Sequence, residues 1–265
     1  GGDSVLSTIN ELNTQSALWS NQRHDSVSFT DVLWQLVSRT AGNIAYYLKA
    51  GQNALSPAVK SACQHFVLEL SPILTSQPLK ADPMDPRYAF LLDYLSRVLI
   101  ESSDPSLLPR QTLAPYILST YDQVLGVAPM VVLEAALKRC LIKPESRLNV
   151  LFLGRLVKDQ LLPVKTLDDV LTAVLSTTPS ELLDGSNVVV TVTSIIQQLM
   201  LTRHRLFTNQ LPSTIRKAVE VTTVVSESTP HLLELKMVLL RLQRRYEVLV
   251  QEAAYLAKFS SVLRA

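Results

Sequence analysis

The segment SPAVKSACQHFVLEL, residues 56–70, carries the pattern that decides the fold. Ser56 is a favoured helix N-cap, and Pro57 stands at the first helical position, where its missing N–H costs nothing. The apolar residues then recur at steps of three and four, the spacing of one helical face: Val59, Ala62, Cys63, Phe66, Val67 and Leu70. The segment therefore predicts an amphipathic helix.

The same signals recur along the chain. Asp85-Pro86, Thr178-Pro179 and Thr229-Pro230 repeat the cap-and-proline pair, the second before a short helix that stops at Asp184-Gly185. Apolar periodicity predicts six more helices. One follows Ser28, one runs from Leu113 to Leu125 and ends at Gly126, and one begins at Pro129. The others lie around Leu148 to Leu156, after a capping pair of Thr166 and Asp169, and from Ser213.

The composition favours an all-α fold. Only 7 of 265 residues are Gly, too few for many hairpin turns or phosphate-binding loops. The β-branched run 188–193 would score as a strand by propensity. We predict a helix there, because Val192, Ile195 and Ile196 keep helical spacing and a lone strand would lack a partner.

About twelve helices paired into antiparallel hairpins of about 40 residues match the period of known helical repeats. Because of the length of these hairpins and the cap-and-proline pairs that recur along the sequence, the chain resembles a HEAT- or armadillo-type α-solenoid, or a compact MIF4G-type relative. The alternative is a single compact helical bundle. We expect Gly1-Gly2 to be left from tag cleavage, and residues 3–265 to form a single helical-repeat domain of a larger protein.

Motifs for catalysis or cofactor binding are missing from the sequence. It contains neither Gly-x-x-x-x-Gly-Lys, Gly-x-Gly-x-x-Gly nor Gly-x-Ser-x-Gly. Cys63 and His65 would point to different faces of a helix, and Asp168-Asp169 lacks the third carboxylate of an aspartate-rich magnesium box. We predict no catalytic residue, no metal and no cofactor, with an α-helical enzyme built from scattered residues as a third hypothesis.

The cysteine count and the apolar runs bear on location. Two cysteines, Cys63 and Cys140, fit a reducing compartment and are expected to be small buried hydrophobes. The longest uncharged apolar run, 188–201, is shorter than the roughly 20 residues of a membrane span. We expect an intracellular protein, cytoplasmic or nuclear, without a transmembrane segment.

Positive charge accumulates at the C-terminal end. Residues 185–265 carry ten basic and five acidic side chains, a balance of +5. A non-enzymatic scaffold module of a larger assembly, binding a partner helix or linear peptide of acidic character, is the leading interpretation. The alternative is nucleic-acid, phosphoinositide or other anionic lipid binding through the same surface. Taken by itself, the charge is also explained by a solvated helix face that keeps a rather apolar protein soluble. The predicted contact residues are Arg203, Arg205, Arg216, Lys217, Arg241, Arg244 and Arg245.

Two other features could make contacts. Trp19 and Trp34 suit binding hot spots, although helical spacing favours a packing role. The final helix is expected to dock on a partner or on a continuation of the parent protein, or else to close the last hairpin. The residues concerned are Tyr246, Leu249, Val250, Ala253, Leu256 and Phe259.

Overall fold

The computed structural model describes residues 25–76, 85–143, 146–177, 187–201, 212–225 and 230–264. Ten helices lie in these residues: α1 Asp25–Lys49, α2 Pro57–Thr75, α3 Pro86–Val98, α4 Leu107–Leu125, α5 Pro129–Ile142, α6 Val150–Lys158, α7 Val164–Thr177, α8 Asn187–Leu201, α9 Pro212–Val225 and α10 Pro230–Arg264. The all-α prediction is confirmed, since extended pairing in this part of the chain amounts to one antiparallel bridge between Ile100 and Leu148. The short helix predicted at 178–185 lies outside the described residues.

Helix ends follow the local signals closely. Four helices (α2, α3, α5 and α10) begin at the prolines that mark them in the sequence. Asp85 caps α3, since its Oδ1 accepts a hydrogen bond from the backbone N–H of Arg87 at 2.9 Å. Gly126 ends α4 in the left-handed conformation, with φ 68°, and its N–H donates to the carbonyl of Asp122 at 3.0 Å. The β-branched run falls in α8, so the helix predicted there is confirmed.

Five helix starts differ from the prediction. Two differ by a few residues, since α1 begins at Asp25 rather than after Ser28 and α9 at Pro212 rather than Ser213. α4 begins at Leu107 rather than after Thr112 and contains Pro115 inside it. α7 begins at Val164, so Thr166 lies within the helix and is not its cap. α6 begins after Leu148 and is capped by Asn149, whose side chain accepts from the Phe152 N–H at 3.0 Å.

The chain divides into two compact units. The first comprises Gly1–Val98 and Ser102–Leu133. In it α1 packs against α2, α3 and α4, and α4 also packs against α2 and α3. The core of this unit is dense in large, fully buried side chains, as expected where amphipathic helices share one apolar interior: Leu33, Leu36, Ile44, Phe66, Leu70, Ile73, Phe90, Leu91, Tyr94 and Tyr121.

Side chains in the first unit fasten neighbouring helices through backbone carbonyls. The hydroxyl of Tyr121 donates to the carbonyl of Arg87 at 2.7 Å, and Tyr94 donates to the carbonyl of Arg110. The buried amide of Gln111 donates to the carbonyl of Val98 at 3.0 Å, at the end of α3. These contacts satisfy polar groups that would otherwise be buried without a partner.

The second unit comprises Leu99–Glu101 and Glu134–Ala265. Its helices pack mainly on the helix two places along: α6 on α8, α7 on α9 and α8 on α10. α9 also packs firmly against α10. The bridge at Ile100 belongs to this unit, where the N–H of Glu101 donates to the carbonyl of Arg147 at 2.8 Å. These contacts place α10 at one side of α8 and α9.

Candidate partner-binding surface on α10

One side of α10 holds this helix in the fold. Leu239, Leu242 and Tyr246 are buried, at steps of three and four along the helix. Ile215 and Ala218 of α9 are buried as well. The start of α9 is fixed from α7, because the buried carboxylate of Asp168 accepts from the Thr214 N–H at 2.8 Å. The opposite side of α10 is therefore presented to solvent on a well-anchored helix.

Most of the predicted basic residues are exposed. Arg241, Arg244 and Arg245 lie on α10 and Arg216 on α9, all with exposed side chains. None of the four forms an ion pair with another described residue. Because Arg241 is three and four positions from the other two arginines, their guanidinium groups share one side of α10.

The other predicted basic residues contribute less. Lys217 is partly buried, and its Nζ lies 3.2 Å from Oε1 of Glu220, so part of its charge is already compensated. Arg203 and Arg205 lie outside the described residues. The cluster that the structure brings together is thus centred on the three arginines of α10.

Apolar side chains beside the arginines were missed in the sequence reading. Leu233, Met237 and Leu240 are exposed and follow one another at steps of four and three, and Arg244 is one further step of four along the helix. We call these three residues with Arg241, Arg244 and Arg245 the α10 basic surface. The sequence does contain a sign of them, because residues 230–242 include more apolar side chains than one buried side of a helix requires.

The last turns of α10 expose a second apolar area. Six large side chains are exposed, with values that reach 72% for Val262 and Leu263. We call this set the α10 apolar end: Val248, Tyr255, Leu256, Phe259, Val262 and Leu263. Of the residues predicted to dock, Leu256 and Phe259 are exposed and Leu249, Val250 and Ala253 are partly buried, whereas Tyr246 is buried within the fold.

Trp34 has the packing role favoured by its spacing. Its ring centroid lies 4.9 Å from that of Phe90 in an edge-to-face contact, and it also contacts Tyr94. The guanidinium carbons of Arg97 and Arg110 lie 4.7 and 5.7 Å from the Trp34 ring centroid. Trp34 therefore links α1 to α3 and α4, while Trp19 lies outside the described residues.

The candidates for metal or thiol chemistry have structural roles. Asp168 holds α9, while Asp169 is exposed and faces Lys165 with 3.3 Å between Oδ2 and Nζ. Cys63 and Cys140 are buried, as predicted, and burial raises the pKa of each thiol to about 11. Among the described residues, no three His, Cys, Asp or Glu side chains are grouped so that they could hold a metal ion.

Comparison with known proteins finds no matching family model, no matching curated protein and no matching solved structure. The described helices include none with both the length and the apolar character that crossing a membrane requires.

Proposed function

We propose that this chain is a non-enzymatic interaction module of a larger assembly, and that the α10 basic surface binds an acidic helix or linear peptide of a partner protein. The observation that carries the proposal is the exposed row Leu233, Met237, Leu240 and Arg244 on a helix anchored by its opposite side. Apolar area fixed next to guanidinium groups that form no ion pair with another described residue offers both burial and charge to a ligand.

The helix packing supports a HEAT- or armadillo-like stack as the scaffold. In such a stack a helix contacts its hairpin partner and the corresponding helix of the next hairpin. Contacts of α1 with α3 and of α2 with α4 follow this order in the first unit. Contacts of α7 with α9 and of α8 with α10 follow it in the second. Stacks of this kind present long outer surfaces for binding.

The use of buried polar groups also supports a structural rather than catalytic interior. Ser96, Thr120 and Thr222 donate to backbone carbonyls of their own helices. Gln111 and Asp168 complete the ends of neighbouring helices. These buried groups are spread over the fold and serve its hydrogen bonding, so they do not converge on a single reacting position.

The chemistry of the surface defines the ligand. A partner helix with apolar residues at steps of three and four would pack on Leu233, Met237 and Leu240. Carboxylates near one end of that helix would reach Arg241 and Arg244, and guanidinium groups bind carboxylates with two parallel hydrogen bonds. A partner with an apolar stripe but no acidic residues should bind less well.

A labelled peptide tests the proposal. We would titrate the chain with a fluorescent amphipathic helix that carries leucines at helical spacing and glutamates beside them. The triple variant Arg241→Glu, Arg244→Glu, Arg245→Glu should weaken binding at least about tenfold, because attraction becomes repulsion. Its circular dichroism and unfolding should match those of the parent chain, since all three side chains are exposed.

A basic triple at the end of α5, with Lys143 directly after the helix, provides the control. Lys138, Arg139 and Lys143 are also exposed, and their substitution by Glu makes the same change in net charge. This control should bind the peptide within about twofold of the parent, because only the overall charge has changed. Equal binding by both triples would overturn the α10 assignment. Tighter, steeply salt-dependent binding of RNA, DNA or anionic vesicles would instead favour the nucleic-acid or lipid alternative.

A further inference from the structure

A seven-residue repeat runs along α10. Leucines stand at 235, 242, 249, 256 and 263, each seven residues after the last. Where the helix packs into the fold, the residue before the leucine is charged: Glu234 and Arg241. Farther along, the residue before it is apolar: Val248, Tyr255 and Val262. The repeat therefore widens into an apolar face at the point where the helix leaves the fold.

That face is uncovered by the described part of the chain. From Gln251 to Arg264 every side chain is exposed except that of Ala253, which is partly buried. A helical segment of this length gains little stability from backbone hydrogen bonds alone and depends on packing of its apolar face. The α10 apolar end thus has the composition of a helix–helix interface, and none of the described helices covers it.

We propose that the α10 apolar end pairs in antiparallel orientation with the same segment of a second copy of this chain. An axis between Tyr255 and Leu256 sets Val248 opposite Leu263 of the second copy, and Leu249 opposite its Val262. Tyr255 then faces the second copy's Leu256. These three pairs bring large apolar side chains together, as a self-complementary two-fold interface requires, and Phe259 lies level with Glu252 of the second copy.

The charges of the segment favour this orientation. Residues 247–264 contain two acids, Glu247 and Glu252, followed by two bases, Lys258 and Arg264. In the antiparallel pair Glu247 lies level with Arg264 of the second copy, and Glu252 lies within one residue of its Lys258. In a parallel pair each of these residues would lie beside the same residue of the second copy, so that like charges would repel one another. The segment has no net charge to oppose self-association.

The area suffices for a specific interface. Six exposed side chains at roughly 100 Å² each would bury about 600 Å² per copy, or about 1,200 Å² in total, at the lower end of stable protein–protein interfaces. The pairing uses residues other than those of the α10 basic surface. It goes beyond the proposed function and does not depend on it.

Sedimentation velocity over a concentration series tests the pairing. The parent chain should change from monomer to dimer as its concentration rises. Leu256→Glu with Phe259→Glu should raise the dimer dissociation constant at least about tenfold. The matched control is Ile142→Glu with Leu151→Glu, which changes side chains that are 74% and 62% exposed on α5 and α6. It should dimerise like the parent.

Cysteine crosslinking tests the orientation. Chains with Val248→Cys and chains with Leu263→Cys should form a mixed 248–263 disulfide when they are combined under mild oxidation. Either variant alone should give little covalent dimer. The parent chain controls for Cys63 and Cys140, which are buried.

Three results would overturn the proposal. One is a parent chain that stays monomeric at every concentration, as it would if another segment of the chain or only a different protein covered the face. A second is unaltered dimerisation of the Leu256→Glu, Phe259→Glu variant, and a third is efficient crosslinking of Val248→Cys with itself. Peptide binding to the α10 basic surface would be unaffected by each of these results, so the two proposals fail separately.

Discussion

The carboxylate of Asp168 on α7 caps the first turn of α9 across 46 residues of sequence. Its Oδ1 accepts hydrogen bonds from the Thr214 N–H at 2.8 Å and from the Thr214 hydroxyl at 2.6 Å. The N–H groups of a first helical turn have no partner in their own helix. Asp168 therefore accepts a hydrogen bond from the first turn of α9, as an N-cap side chain does in other helices, although it belongs to a different helix.

Replacement of Asp168 by Ala should lower the free energy of unfolding by about 2 to 3 kcal/mol, because a buried helix start loses a charged acceptor. Chemical denaturation measures the change. The adjacent Asp169→Ala is the matched control, since Asp169 is exposed and its carboxylate lies 3.3 Å from the Nζ of exposed Lys165. It should cost less than about 0.5 kcal/mol. Similar losses in the two variants would contradict the capping role.

An ion pair between Arg39 and Glu69 joins α1 to α2, and its two side chains differ in their exposure to solvent. The Glu69 side chain is almost fully buried, whereas that of Arg39 is 39% exposed. Arg39→Ala should destabilise the chain by about 2 kcal/mol, because it leaves the Glu69 carboxylate buried without its main partner.

The double variant Arg39→Met, Glu69→Leu should recover much of this stability, since an apolar pair carries no buried charge. Equilibrium unfolding of the parent, the single and the double variant decides the point. If the double variant lost as much stability as Arg39→Ala or more, the cost would come from lost packing and not from the unpaired carboxylate.

The Asp85 carboxylate should make stability fall in acid. Hydrogen bonds from the Arg87 guanidinium, which lies 2.7 Å away, hold the pKa of Asp85 below its ordinary value near 4. A lowered folded-state pKa means that the pair stabilises the fold fully above that ordinary value and loses its effect as pH falls through the folded-state pKa.

Asp85→Asn should therefore cost more stability at neutral pH than in strong acid, where the parent side chain is also neutral. Denaturant unfolding over a range of pH values measures this difference. Arg87→Gln removes the group that lowers the pKa of Asp85. The stability of this variant should therefore fall less than that of the parent as the pH is lowered. A constant difference between parent and Asp85→Asn at every pH would rule out the linkage.

The two thiols should react slowly in the native protein. Burial raises the pKa of Cys63 and of Cys140 to about 11, so little thiolate forms near neutral pH, and neither sulfur is accessible. A chromogenic disulfide reagent should modify both thiols only after denaturant unfolds the chain. Rapid modification of the folded chain would show that one of them is reachable.

The sequence predicts best what neighbouring residues determine. Proline after a capping residue marks the starts of α2 and α3, and Gly126 marks the end of α4. The start of α4 at Leu107 is missed. Pro109 lies within its first turn, where a proline replaces an N–H that has no helical partner. Helical spacing outweighs β propensity in α8, where Val192, Ile195 and Ile196 are buried.

Features that depend on tertiary packing cannot be predicted from neighbouring residues in the sequence. The pairing of Asp168 with Thr214 joins residues on two helices, and nothing local in the sequence identifies it. Periodicity likewise shows that α10 is apolar without showing which side is covered. It included Tyr246 among the docking residues, although the fold buries it, and left out Leu233 and Val262, which are exposed. The arginines of α10 are predicted from their charge and their helical spacing, and their exposure is what the structure adds.

Hydrogen–deuterium exchange along α10 tests most directly the central claim that another molecule covers the outer end of this helix. At low protein concentration, amides of 235–246 should be protected and those of 249–264 should exchange fast, since an uncovered helix end opens readily. At high concentration, the second group should gain protection and the first should not change. Protection of 249–264 that is the same at every concentration, or absent throughout, would contradict the account.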